Sequence, residues 1–129
     1  MRIVPTTRTF EASFKTGMEI FANLDALGRP TAMIAATDAI AVGLLQAAYQ
    51  SHVRVPDQIS IVGFDDLDIA PYTIPPLTTI RQSGVAMGQL AATLLMDMIE
   101  QERDGTQVED IVLTPTLVVR ESTAPPTPS

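Results

Sequence analysis

Two apolar runs on either side of one capped helix constrain the fold of this chain more than any other feature. The run Ala32–Ala36 lacks the alternation of a half-exposed strand, which is typical of a strand buried on both faces of a parallel sheet, and Ile59–Phe64 is the strongest strand pattern. Between them, Thr37 is a favourable N-cap and Asp38 adds negative charge at the start of a helix predicted from Ala39 to about Gln50. Strand, helix and strand indicate a right-handed βαβ unit.

Further helices and one more strand surround this unit. Before it, apolar residues recur at the i, i+4, i+7 and i+8 positions of one helix face, namely Phe14, Met18, Phe21 and Ala22. Gly28 then follows as a natural helix stop. After the unit, Leu77–Ile80 predicts a short strand, and the longest helix is predicted from Ser83 or Gly84 to about Arg103. These patterns predict an α/β fold with a mostly parallel sheet flanked by helices.

The residue composition excludes several classes of site. The 129 residues are enough for one domain. No cysteine is present, which removes disulfides, cysteine nucleophiles, thiolate zinc sites and iron–sulfur clusters. Because His52 is the single histidine, a multi-histidine metal site is impossible as well. A Ser-His-Asp triad would have to use the same histidine.

The charge balance argues against direct binding of nucleic acid. The net charge is −7, from 8 basic and 15 acidic residues, whereas DNA-binding modules usually present a basic face. No apolar run approaches the roughly 18 residues that a membrane span needs, and the N-terminus has no apolar signal core. We expect a cytoplasmic chain that has no membrane contact and does not bind DNA by itself.

Polar residues follow two of the predicted strands. Ligands of parallel sheets gather at the carboxyl ends of the strands, where this chain has Thr37-Asp38 and Asp65-Asp66. Asp65 is the best single candidate, because an ionised carboxylate only accepts hydrogen bonds and so selects donors such as sugar hydroxyls or base N–H groups. Alternatively, Asp65 caps the following turn, and Asp66 is expected to support the loop.

The pair Asp65-Asp66 also raises an enzymatic alternative. Acidic pairs at strand ends bind Mg²⁺ in receiver domains and in phosphatases of the haloacid dehalogenase type. Those mechanisms need a lysine late in the chain, whereas Lys15 is the single lysine here and precedes the whole sheet. We therefore favour a binding function over catalysis, and we expect no catalytic centre, no metal and no cofactor.

Four blocks along the chain form a recognisable series. The blocks are Pro30–Gly43, Val55–Asp66, Pro75–Gln82 followed by Met87-Gly88, and Leu117–Thr123. In this order and at this spacing they resemble the core of LacI/GalR-family transcriptional regulators. The resemblance covers roughly Thr31 to Thr123, and residues 1–30 match loosely.

This resemblance implies part of a two-lobed α/β core of the periplasmic-binding-protein-like type I fold, with an effector in the cleft. We expect residues 1–123 to be a partial effector-binding core and residues 124–129 to be a flexible tail rich in Pro, Thr and Ser. The family's DNA-binding headpiece, hinge and first lobe have no counterpart in this sequence. The resemblance further implies a small polar effector, sugar-like or nucleobase-like, a homodimer, and operator DNA bound only through the headpiece. The alternative is a periplasmic or lipid-anchored sugar-binding protein of an uptake system.

The resemblance also implies positions for the effector contacts. They are Asp65, Gln82, Thr37 and Asp38. Many family members carry asparagine at the position of Thr37, and the N-cap role is the alternative for this residue. For Asp38 the role at the helix end is favoured, and Gln82 has loop backbone as an alternative partner.

Other residues are implied to serve association of the chain. Val42 and Tyr72 resemble positions on the family's dimer surface, with an ordinary core role as the alternative for Val42. Arg81 fits either a crossover residue or a solvent-exposed charge, and we favour the latter. The longest helix is implied to pack on the absent lobe, so its apolar residues would face water and the isolated chain should not be a stable monomer.

Overall fold

The computed structural model describes residues 2–100 and 111–126 of the chain. Their contacts divide them into two compact units, one with the residues up to Arg81 and those from Leu117, the other with Gln82 to Thr116. In chain order, the elements are α1 (Phe10–Ala22), β1 (Ala32–Ile34), α2 (Asp38–Gln50), β2 (Ser60–Val62), a 3₁₀ turn (Ala70–Tyr72), β3 (Thr79–Arg81), α3 (Gly84–Glu100) and β4 (Thr116–Val118).

Neighbouring strands of the first unit run in parallel, as the βαβ pattern predicts. β1 pairs with β2, with Ala32 opposite Ser60 and Ile34 opposite Val62. Val62 also forms a parallel bridge to Thr78, which places the start of β3 beside β2. β3 and β4 form a second two-stranded sheet. The predicted α/β class is therefore confirmed.

β1 is less buried than its sequence predicts. The apolar run Ala32–Ala36 predicts burial on both faces, which is wrong for the strand itself, because Ile34 is 81% exposed. Among the described residues β2 is the one strand paired with β1, so β1 lies at an edge of its sheet. Ala35, just after the strand, is buried and donates its N–H to the Val62 carbonyl at 2.8 Å.

α1 packs on α2 through small residues. The buried residues of α1 are Ser13, Gly17, Ile20 and Phe21, a face displaced by one residue from the predicted one. A Cβ atom on Gly17 would lie 2.6 Å from the Cβ of Ala47, so the close approach of the two helices requires glycine there. α1 ends at Ala22, earlier than the predicted stop, because Asn23 leaves the helical conformation, and Gly28 follows in a turn with φ 76°.

The core of the first unit lies where α2 meets α1 and β2. Its buried apolar residues come from both helices, from β2 and from the loops beside them. They are Ile20, Phe21, Ala35, Ile40, Ala41, Leu44, Leu45, Ala47, Ala48, Ile59, Ile61, Ala70 and Leu77. This core supports the carboxyl end of β2, where the polar residues of the chain converge.

The second unit contains α3. The hydroxyl of Ser83 accepts a hydrogen bond from the Ala86 N–H at 3.2 Å, an N-cap contact at the predicted start of the helix. The predicted end near Arg103 falls beyond the residues that the structure describes. Leu95, Met98 and Ile99 are 58%, 55% and 64% exposed. In the described part of the chain, no helix has the length and apolar character needed to span a membrane.

The C-terminal segment is bonded to β2 and to the start of β3. Ser122 is fully buried, and its Oγ donates to the Ile61 carbonyl at 2.6 Å and accepts from the Thr78 N–H at 2.8 Å. The N–H of Ala124 donates to Ser60 Oγ at 3.1 Å. The first residue of the predicted tail is thus attached to the sheet, because β2 supplies its polar partners. The two residues that follow, 125 and 126, are exposed prolines, and residues 127–129 lie outside the described part.

Candidate functional site

A turn of unusual backbone conformation follows β2. Asp65 and Asp66 have φ angles of 114° and 54°, in the left-handed region that residues other than glycine seldom adopt. Such conformations persist where the surrounding structure holds them, and they cluster at functional sites. The carboxyl end of β2 is therefore the candidate site of this chain.

The Asp65 carboxyl group is half-buried and available for a ligand. The backbone N–H of Asp65 donates to the Ile80 carbonyl at 2.9 Å, which attaches the turn to β3. Within the described residues, neither a hydrogen bond nor an ion pair engages the Asp65 carboxyl oxygens, so the turn-cap alternative gains no support. The role of Asp65 as an effector ligand remains a prediction.

Asp66 supports the loop, as predicted, through ion pairs with two arginines. Its carboxyl group accepts from Arg81 Nε at 2.5 Å and from Arg120 Nη2 at 2.7 Å, and its side chain is only 7% exposed. Burial opposes ionisation of this carboxyl group, but the hydrogen bonds and charges of Arg120 and Arg81 hold the pKa of Asp66 below its ordinary value. Arg81 is a solvent-exposed charge as predicted, with its side chain 58% exposed, and it also forms this ion pair.

Arg120 is the residue of this neighbourhood that the sequence did not reveal. It lies two residues after β4 and is only 15% exposed. Besides its ion pair with Asp66, its Nη1 donates to the Leu77 carbonyl at 2.7 Å, and its backbone N–H donates to Thr78 Oγ1 at 2.9 Å. The only available signal was an arginine directly after an apolar run, which does not identify a partner 54 residues earlier.

Thr37 and Asp38 bring the start of α2 to the same turn. Thr37 Oγ1 accepts from the Ile40 N–H at 3.3 Å, which confirms the N-cap role. Asp38 is fully buried, and its backbone N–H donates to the Phe64 carbonyl at 2.7 Å. Its Oδ2 accepts from the Leu67 N–H at 2.8 Å. The helix start and the Asp65 turn therefore form one connected structure.

The other predicted contacts lie apart from this turn in sequence and differ in exposure. Gln82 begins the second unit and is exposed. Val42 lies in the second turn of α2 and is partly buried. Tyr72 ends the 3₁₀ turn and is 79% exposed, as a residue of an association surface would be. The roles of these three residues remain predictions.

The chemistry of the turn is that of an acceptor of hydrogen bonds. Asp65 offers oxygen atoms, whereas Asp66 is already paired with two arginines. No group of three or more His, Cys, Asp or Glu residues that could hold a metal ion occurs in the part of the chain that the structure describes. An open cavity of about 640 Å³ lies at the other end of the unit, between the end of α1 and the start of β1, and none of the predicted site residues lines it.

The sequence of this chain is similar to a known protein family and to individual repressors. The sequence profile of the family described as "Periplasmic binding protein-like domain" matches residues 2–123. A ribose operon repressor of Haemophilus influenzae is 43% identical over 94 residues, which are 73% of this chain and 28% of that protein. The chain thus spans about a quarter of the length of this relative.

Solved structures of transcriptional regulators are also similar to this chain. The complex of the transcriptional regulator CelR with cellobiose superposes with a TM-score of 0.76 at 33% identity, over 88% of this chain and 33% of that chain. The dimeric Lac repressor with an 11-residue C-terminal deletion also gives a TM-score of 0.76 at 33% identity, over 92% of this chain and 42% of that chain.

Proposed function

Because the chain belongs to the periplasmic binding protein-like domain family, we propose that it is part of the effector-sensing core of a LacI-type transcriptional regulator in the bacterial cytoplasm. The resemblance predicted from the four sequence blocks is confirmed by the family match and by the similar repressors. The names of these relatives favour the regulator over the alternative of an uptake protein in the periplasm.

The observation that carries the proposal is the Asp65 carboxyl group at the carboxyl end of β2. It is half-buried in a turn with left-handed backbone, and no described residue engages it. An acceptor in this position suits the hydroxyl groups of a sugar or the N–H groups of a nucleobase. Cellobiose in the CelR complex is a ligand of this chemical class in a structurally similar protein.

The proposed mechanism is allosteric. A small polar effector binds between two lobes and contacts one lobe arrangement better than the other, so it shifts the equilibrium between them. In a homodimer, that shift changes the separation of two DNA-binding headpieces and hence the affinity for the operator. Val42 and Tyr72 are the proposed dimer contacts, and the Lac repressor structure that this chain resembles is described as dimeric.

The magnesium-dependent enzyme is the less favoured function. A carboxylate that is already paired with two arginines is a poor ligand for a divalent cation, and Asp66 is in that state. The similar proteins are named as repressors and regulators. We therefore propose a binding function without a catalytic step.

Replacing Asp65 with alanine should weaken effector binding by the full-length protein. We expect a loss of about 1–3 kcal/mol, the range for losing a buried hydrogen-bond partner. Isothermal titration calorimetry with ribose, glucose, cellobiose and guanine identifies the effector and measures the change. Asp68→Ala is the matched control, because it removes an exposed carboxyl group from the same loop. Equal affinity of the wild type and the Asp65→Ala variant for the effector would contradict the assignment.

The isolated 129-residue chain should associate rather than remain a monomer. Exposed Leu95, Met98 and Ile99 on α3 carry apolar surface, and burying one such side chain is worth roughly 1.5–3 kcal/mol. Sedimentation equilibrium at low micromolar concentration should show dimers or larger species, and glutamine at all three positions should reduce them. The control is Tyr49→Gln, which changes an exposed apolar residue of α2. A monomer with a cooperative melt and no binding of a hydrophobic dye would refute this prediction.

A further inference from the structure

Asp38 makes an unusual set of buried contacts for the first residue of a helix. Its side chain is 0% exposed. Oδ1 accepts from Thr79 Oγ1 at 2.5 Å, and Oδ2 accepts from the backbone N–H of Leu67 at 2.8 Å. A Cβ atom on Gly63 would overlap Oδ1, so the carboxyl group lies directly against the backbone at the end of β2. A helix-end charge needs none of these contacts, since exposure to solvent serves the dipole equally well.

The contacts of Asp38 enclose the Asp65 turn from both sides. Its backbone N–H donates to the Phe64 carbonyl at 2.7 Å, and its carboxyl group receives the Leu67 N–H. The two residues between these bonds are Asp65 and Asp66, two consecutive residues other than glycine that both have positive φ. Left-handed backbone at residues other than glycine is unfavourable by itself and persists only when neighbouring groups determine it. Asp38 supplies two of the bonds that determine it here.

We propose that Asp38 is a positioning residue, which holds the Asp65 carboxyl group in place for the effector without touching the effector itself. This inference rests on the proposed effector function of Asp65. We propose this role in place of the direct effector contact that the resemblance implies for Asp38. The reason is that Asp38 is fully buried and both of its carboxyl oxygens already have protein partners. Thr79 acts with it, since the Thr79 hydroxyl fixes the orientation of the carboxyl group from β3.

Three variants of the full-length protein separate positioning from general stability. Asp38→Ala removes both side-chain bonds. Asp38→Asn keeps both in altered form, because its amide oxygen accepts from the Leu67 N–H while its amide nitrogen donates to Thr79 Oγ1. Ser122→Ala is the matched control: Ser122 is equally buried and its hydroxyl bonds β2 to Thr78, the residue before β3, but it forms no hydrogen bond with residues 64–67.

Two measurements are made on these variants. Hydrogen–deuterium exchange of the peptide covering residues 64–67 needs no ligand. Asp38→Ala should accelerate exchange there by about tenfold relative to Ser122→Ala, since an opened turn exposes the Leu67 N–H. Calorimetry with ribose, glucose, cellobiose or guanine should show affinity weakened by about tenfold in Asp38→Ala but changed by less than about threefold in Asp38→Asn and Ser122→Ala.

The outcomes distinguish this inference from the proposed function. Equal exchange at residues 64–67 in Asp38→Ala and Ser122→Ala would overturn the positioning role even if no tested compound binds. Loss of affinity in Asp65→Ala but not in Asp38→Ala would overturn it while leaving the effector site intact. Equal loss of affinity in Asp38→Ala and Asp38→Asn, or in Asp38→Ala and Ser122→Ala, would also overturn it. An Asp65→Ala variant with wild-type affinity would instead contradict the proposed function.

Discussion

Arg120→Ala should lower the free energy of unfolding by about 3 kcal/mol, the scale for breaking a buried ion pair by removing one partner. The Arg120 side chain is 15% exposed and that of its partner Asp66 is 7% exposed. Truncation also removes the donor to the Leu77 carbonyl, although Arg81 remains to pair with Asp66. Chemical denaturation of the two proteins at pH 7 measures the difference.

The effect of Arg120→Ala should depend on pH in a defined direction. The pKa of Asp66 is lowered in the folded protein, so its ion pairs contribute fully above the ordinary aspartate pKa of about 3.9. That contribution is lost as the pH falls through the lower pKa of the folded state. The difference between wild type and variant should therefore shrink below about pH 4.

Arg54→Ala is the control for this prediction. Arg54 pairs with Asp57 at 3.4 Å, but both side chains are more than two-thirds exposed. An exposed pair of this kind is worth less than about 1 kcal/mol. Equal losses of stability in Arg54→Ala and Arg120→Ala would contradict this prediction, because the buried Arg120–Asp66 pair would then stabilise the fold no more than an exposed pair does.

Gly63→Ala should destabilise the protein by about 2–3 kcal/mol, because overpacking a filled site forces backbone or side chains to move. The added Cβ would overlap Asp38 Oδ1 and lie 2.9 Å from Leu77 Cδ2. Neither atom can retreat easily, since Asp38 is bonded at both oxygens and Leu77 is fully buried. Thermal or chemical unfolding of the variant measures the loss.

The matched control for Gly63→Ala is the same substitution in α3. Gly88→Ala places a Cβ atom where nothing lies within 4 Å. Alanine in a helix interior is favoured over glycine by up to about 1 kcal/mol, so this variant should be neutral or slightly stabilised. A Gly63→Ala variant as stable as wild type would contradict the close packing of Asp38 and Leu77 against Gly63.

The features that the sequence predicts well are local ones. The Thr37 N-cap and the boundaries of α2 follow from residues within one helix; the cap is confirmed, and the boundaries are confirmed to within one residue, since α2 begins at Asp38 rather than Ala39. The parallel arrangement of β1 and β2 follows from the length and order of the elements between them. The position of Asp65 at a strand end follows in the same way, because it depends only on where β2 stops.

The features that the sequence does not predict depend on distant partners. Asp66 meets Arg120 across 54 residues, and Asp38 meets Thr79 across 41 residues. The sequence predicts the carboxyl group of Asp38 as a charge at the helix end. It is buried and accepts a hydrogen bond from Thr79 because β3 lies beside it in the fold. The exposure of Ile34 is similar, since an apolar run does not reveal whether another layer of the protein covers each face of the strand.

A crystal structure with a bound effector would show whether Asp65 contacts the effector. The full-length protein is crystallised with whichever of ribose, glucose, cellobiose or guanine raises its melting temperature. We expect a carboxyl oxygen of Asp65 within about 3 Å of a hydroxyl or N–H group of the ligand, with Asp38 buried and out of contact with it. A ligand bound elsewhere, with the Asp65 carboxyl group out of hydrogen-bond reach, would contradict it.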